Sequence, residues 1–238
     1  MLVTIVTFIS VYFFIEPISQ DKHYHCFANE VKYGLIMNFW NVVSNMGFVM
    51  IGIYGVLVLP IKGKERLLIF SLFLGILATG IGSAYYHFTP NNHTLVWDRI
   101  PMTIIFSSFF CIVYAKLIDR CTAYLIWLFE LVLGIYSVFY WQYSESIGAG
   151  DLRLYAIVQF LPMLLLVIMI ILRFQQSRFV LNTLVAIIFW YGIAKFFEHY
   201  DHQLFDLTHT FSGHPLKHLA ATVATFYMIS MVNQFEAR

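Results

Sequence analysis

Charge is scarce in this chain. Of 238 residues, 14 are Lys or Arg and 13 are Asp or Glu, together 11% of the sequence, less than half the share of about 25% found in soluble domains. Apolar types fill 60%. A soluble chain of this size could not hide so much apolar surface, so lipid must solvate part of it. The net charge is only +1, which removes the basic face that nucleic acid requires. Cysteine is nearly as rare. Cys26, Cys111 and Cys121 are too few and too scattered for a disulfide framework or a thiolate metal site. Cys111 and Cys121 fall in or beside apolar runs and are expected as small core residues. No soluble domain, linker or low-complexity tract interrupts the chain. No internal repeat suggests a transporter built from inverted halves.

What the sequence does contain is a series of long apolar runs. A helix needs about 20 such residues to cross a bilayer. Residues 39–60, 66–88, 97–117, 121–142, 153–173, 179–199 and 214–235 meet that need. The expected fold is therefore all-α and polytopic, a core of seven transmembrane helices. One extra hydrophobic segment, 1–17, precedes the core. No Lys or Arg stands before its apolar residues, and Glu16-Pro17 follows where a cleavage site of small residues would be needed. An uncleaved helix is expected rather than a signal peptide. The domains are then a helix at 1–17 and a membrane domain at 18–238. Short connections make sequence neighbours antiparallel.

The basic residues sort by side. Lys62, Lys64, Arg66, Lys116, Arg120, Arg173, Arg178 and Arg238 fall on one side of the expected bundle. The smaller set on the other side, Lys22, Lys32, Arg99, Arg153 and Lys217, is interspersed with acidic residues. The first side is expected to be cytoplasmic, with the C-terminus there. Trp40, Trp97 and Trp141 near helix ends fit an interfacial belt. Asp151 suits a helix N-cap.

Ionisable groups inside a membrane are costly, and each calls for a reason. Ser83 and His87, four apart, share one helix face at the outer end of segment 66–88. Asp98 opens the next segment. His214 and His218 share a face at the outer start of the last segment, where Pro215 fits the first turn and Ser212 or Gly213 could cap it. Two distant parts of the chain thus bring three imidazoles to one depth on one side. Three protein ligands with a fourth position left to water form a catalytic zinc site. Imidazole also suits iron, nickel or copper. A lone histidine in an apolar helix is more often a hydrogen-bonded core residue, so the pairing and the shared depth carry the reading. Glu198, His199, Asp201, His202 and His209 form a polar outer stretch, read as solvated, with a lid or a second metal as the alternative. His23, His25 and His93 have no helical partner and stay unassigned.

These residues resemble the alkaline ceramidases, which belong to a wider group of seven-helix membrane hydrolases that includes the adiponectin receptors. The pattern is Ser-x3-His, an Asp eleven residues on, then His-x3-His in the last helix. The stretch from Asn38 to Asn45 (NFWNVVSN) resembles the family signature at the first core helix. Tyr86-His87, Trp97-Asp98-Arg99 and Gly213 to His218 (GHPLKH) are similar to the bacterial branch. The resemblance covers about residues 25–235. It implies seven helices around a lipid-accessible cavity, with zinc on His87, His214 and His218 and with Ser83 and Asp98 as the remaining catalytic pair. Asp98 would take and return the proton, and Ser83 would donate to the oxyanion. The implied reaction cleaves the amide of a ceramide-like lipid to a fatty acid and a sphingoid base. Eukaryotic relatives have an acidic calcium site. Here Asn38 stands in place of its Glu, and only Asn29 and Glu30 leave that cation open. Three rivals stand beside this reading. One is hydrolysis of another lipid amide or an ester, separable by a lipid panel. Another is a receptor-like protein with structural zinc, which chelation should unfold. The last is a transporter with a His/Asp relay, which would need broken half-helices.

Overall fold

The computed structural model describes residues 2–59 and 63–237. Met1 and two of the basic residues used for orientation, Lys62 and Arg238, lie outside that range. The chain folds as α1 (Leu2–Phe14), a 3-10 turn at Lys22–His25, α2 (Phe39–Val43), α3 (Met46–Leu57), α4 (Arg66–Phe88), α5 (Asn92–Leu117), α6 (Arg120–Ser146), α7 (Arg153–Leu172), α8 (Phe174–Ser177), α9 (Leu181–His199), α10 (Asp201–Thr208) and α11 (Gly213–Glu236). Among the described residues there is no strand, only an isolated bridge between Tyr33 and Ile36.

Among the described residues, six helical units are long and apolar enough to cross a membrane: Phe39–Leu57, α4, α5, α6, α7 and α9. The seventh member of the core is α11. It has 24 residues, but His214, Lys217, His218, Asn233 and Gln234 leave it too polar to pass on composition. It is sheltered by packing against α9 and α3. The protein is thus an all-α, multi-pass membrane protein. Helix α1 is shorter than expected, ending at Phe14 rather than at residue 17. Its 13 residues reach about 20 Å at 1.5 Å each. It packs on α7, where the Arg153 guanidinium donates to the Ile15 carbonyl at 2.8 Å and lies over the Tyr12 ring.

The centre is made by α4 and α5, with Leu68, Ile69, Leu72, Phe73 and Ile76 fully buried against Phe109 and Ile112. Around them α6 turns an apolar stripe outward. Leu125, Phe129, Val132, Tyr136, Phe139 and Tyr143, spaced by threes and fours, are all exposed, as a lipid-facing surface requires. Basic residues of the expected inner side do share one end of the bundle. Lys116 pairs with Glu65 at 2.9 Å, and the Tyr124 hydroxyl donates to the Lys64 carbonyl.

Helix α5 starts five residues before the expected 97. Asn91 accepts from the His93 and Thr94 N–H groups while Thr94 returns a bond to the Asn91 N–H, a reciprocal cap. The expected turn between Phe88 and Val96 is therefore mostly helix, and Asp98 sits in the second turn of α5. Three further expectations are corrected. Trp141 is not interfacial: it is fully buried, with the Arg99 guanidinium 4.0 Å from its ring. Trp40 and Trp97 are exposed. Cys121 is exposed in the first turn of α6, unlike buried Cys111. Asp151 lies one residue outside the cap of α7, whose N-cap is Leu152, yet it accepts the Arg153 N–H at 3.0 Å and pairs with that side chain at 2.8 Å. The Arg153 hydrogen bonds hold the Asp151 carboxyl below the usual range.

Candidate metal centre

Two glycines bring the site together. A side chain at Gly82 would collide with the Trp97 carbonyl, so only glycine lets α4 lie this close to α5. That carbonyl has no partner one turn on, because Pro101 lacks an N–H. The approach sets Ser83 beside Asp98, and both side chains line one cavity. Gly213 does the same at the other side. A Cβ there would meet the Phe197 carbonyl and the Asp201 backbone, so the start of α11 nests into the junction of α9 and α10.

The cap of α11 is not where the sequence placed it. Ser212 is the N-cap residue but makes no side-chain cap bond, and Gly213 has no side chain to make one. Asp201, eleven residues earlier than Ser212 and buried, supplies the acceptor. Its carboxylate receives the His214 N–H at 2.6 Å and the Ala28 N–H at 3.0 Å. The stretch read as solvated runs from the end of α9 through α10 to His209, and it holds a buried carboxyl group, Asp201, that faces the N-terminal end of α11. Neither Asp201 nor the other residues of that stretch join the histidines among the groups able to hold a metal.

His87, His214 and His218 are brought together. Each is buried, and each offers a ring nitrogen within 4.8 Å of the others. His87 Nε2 and His214 Nε2 are 3.3 Å apart, and the ring centroids stand 4.7, 4.9 and 5.0 Å from one another. Ser44 holds the outer nitrogen of His218. The Ser44 hydroxyl lies 3.2 Å from the Asn41 carbonyl and 2.7 Å from His218 Nδ1; when its proton goes to the carbonyl, its oxygen is left to accept from Nδ1. The proton on Nδ1 leaves the Nε2 lone pair bare, as a metal ligand needs. This donor set fits a zinc ion: three buried imidazoles, one with its outer nitrogen already engaged.

Several contributors were not visible in the sequence. Phe27 lies edge-on to His87 and His214, 4.7 Å from each centroid, and covers them. Asn38, in the left-handed region with φ 49°, donates to the His87 carbonyl at 2.9 Å and pins the end of α4. Asn29 donates to the Thr210 carbonyl, so both asparagines of the calcium question hold backbone here. His25 bonds the Tyr86 hydroxyl and the Asn92 amide, each at 2.9 Å, tying the first loop to α4 and α5. His93 meets the Gln142 amide, and His202 donates to the Cys26 carbonyl.

Two cavities meet at Asp98. One, of about 110 Å³, is lined by Ser83, Asp98 and His218 and by apolar side chains such as Ile105, Phe109 and Met228. The other, of about 320 Å³, is lined by Asp98, Arg99, Gln159, Lys195, Glu198 and Lys217, among others. Glu198, at the end of α9, joins Lys195 at 2.6 Å and Lys217 at 2.7 Å. Lys217, counted from sequence as an outer-loop cation, is on α11 in the walls of both cavities.

Searches of curated proteins and of solved structures each returned no match. A family model described as Ceramidase matches residues 19–238, from just after α1 through the last helix and over every residue of the site. The chain belongs to the ceramidase family, a family of lipid hydrolases.

Proposed function

We propose that the protein is a zinc-dependent intramembrane hydrolase that cleaves the amide bond of ceramide-like lipids, giving a fatty acid and a sphingoid base. The observation that carries this reading is the set of three buried imidazoles with ring nitrogens within 4.8 Å, beside a Ser–Asp pair on the wall of an apolar cavity. His87, His214 and His218 would hold the ion. A zinc ion so held supplies Lewis acidity and lowers the pKa of a water toward about 7.

The chain's own groups do the rest. Asp98 takes a proton from the attacking water and returns it to the leaving amine. While its carboxylate is ionised it claims the single Ser83 proton. Protonation of Asp98 ends that claim and frees the Ser83 hydroxyl to donate to the carbonyl oxygen as negative charge grows there. The apolar cavity holds the acyl chain, each buried CH2 contributing about 0.8 kcal/mol, and the amine half extends into the larger cavity. Basic residues gathered at one end of the bundle support a cytoplasmic placement of that end. The metal centre and substrate mouth then face the other side. The membrane domain would run from residue 18 to 238, with α1 as a separate helix.

The deciding experiment measures zinc content and lipid amide turnover in purified protein and in His214→Ala. Loss of both is expected. Retention of both at the native level would end this proposal.

A further inference from the structure

The larger cavity has a charge excess that the protein does not answer. Along its wall, Lys195, Glu198, Lys217 and Asp98 alternate in sign and sum to zero. Arg99 is left over. It is buried, in the second turn of α5 and lining the cavity. One of its nitrogens donates to the neutral Gln20 amide at 2.6 Å. Nη1 has no hydrogen-bond partner, and no carboxylate pairs with the guanidinium among the described residues. Ring faces flank it, Trp141 at 4.0 Å, Tyr155 at 4.9 Å and Tyr24 at 5.7 Å, and Asp98 acts on it at longer range without pairing. A lone cation buried in a membrane domain is unfavourable unless something of opposite charge meets it. A guanidinium stacked on rigid rings is also pre-oriented, with little side-chain entropy left to lose.

Position says which part of a substrate would meet it. The apolar and polar cavities share Asp98, Met102, Tyr191, Lys217 and Ala221 as common wall. An amide placed at Asp98 with its acyl chain in the apolar cavity sends its amine half toward Arg99. We propose that the 320 Å³ cavity is a subsite for an acidic head group, a carboxylate or a phosphate on the amine half of the substrate, held by Arg99 with Lys195 and Lys217 nearby. This rests on the amide-hydrolase reading for the placement of the chain. The positive charge of the wall is independent of it.

The test uses pairs of probes that differ only in charge. Purified protein in neutral detergent micelles is titrated calorimetrically with N-dodecanoylglycine against its methyl ester, and with N-dodecanoylaminoethyl phosphate against N-dodecanoylethanolamine. The acyl chains cancel within each pair, and the two acids separate carboxylate from phosphate. An acid should bind at least about ten-fold tighter than its neutral mate, the ratio one charge-assisted bond supports. Arg99→Gln should bring the pair within about two-fold, and Arg99→Lys should keep part of the preference. Equal affinities in the unaltered protein overturn the proposal, and so does a preference that survives Arg99→Gln. Should Arg99→Gln fail to fold, the unaltered protein alone decides. Hydrolysis of the same amides is followed in parallel. Acid preference without any turnover leaves the subsite standing and removes the hydrolase reading. Turnover of neutral amides without acid preference does the reverse.

Discussion

Asp201→Ala should damage a helix that does not contain it. The carboxylate is buried and receives two backbone N–H groups, from His214 at 2.6 Å and Ala28 at 3.0 Å. A hydrogen bond to a charged group contributes about 1.5–3 kcal/mol, and loss of an N-cap costs about 0.5–2 kcal/mol. These overlap, because the His214 bond is the cap, so the expected loss is about 2–4 kcal/mol. For a chain of this size that lowers the melting temperature by roughly 4–16 °C. Asp201→Asn keeps one acceptor oxygen and should lose about half as much. The same change loosens the backbone of His214, so zinc should fall with stability. The assay is a melting curve in detergent, with metal content measured on the same sample. If Asp201→Ala melts like the unaltered protein and binds zinc equally well, the cap is not what holds the start of α11, and the reasoning fails.

Other consequences are sharper in sign than in size. If the protein is the proposed zinc amidase, Asp98→Asn should keep bound zinc and lose amide turnover, and unchanged turnover would show that Asp98 is not the proton acceptor. Ser44→Ala removes the acceptor that fixes the His218 tautomer, and should weaken zinc affinity about 10–100-fold without unfolding, as read by competition with a chelator. Gly82→Ala drives a methyl into the Trp97 carbonyl and should destabilise by about 1–3 kcal/mol. Gly192→Ala, with nothing in reach of its Cβ, should be neutral or stabilising by up to about 1 kcal/mol, so equal melting of the two variants would be the contrary result. Asp151 has its pKa lowered in the folded state. Its contribution is present above the unfolded value of about 3.9 and is lost as pH falls through the folded value. Asp151→Asn should therefore flatten the acid limb of the stability curve below about pH 4, which melting curves across that range would show.

The three histidines could be read from sequence because each sits in a run where an imidazole is out of place, and two of them sit four apart on one helix. Helix α4 was legible to the residue, since its apolar run begins after a basic cluster and ends at Thr89-Pro90. Trp141 was misplaced because hydropathy marks a helix end without saying which face meets lipid and which meets protein. Its partner, Arg99, lies on another helix. The Lys195–Glu198–Lys217 series has one local pair, at i, i+3, but its second bond crosses from α9 to α11, and no periodicity within either helix announces it. Asp201 was hidden for the same reason. Capping rules look to the residues just before a helix, and here the cap comes from a different one. The start of α5 was missed because its reciprocal cap lies among residues polar enough to pass for a loop.

Phe27 has a consequence for how an ion comes and goes. The ring is carried by the loop ahead of the core, which His25 fastens to α4 and α5, and it rests on two of the three imidazoles. An ion on those nitrogens would be roofed on the Phe27 side by that loop, so departure on that side would wait on a segmental motion as well as on the ligand bonds. Chelators should then strip the metal at a rate that saturates with their concentration, set by how often the roof lifts.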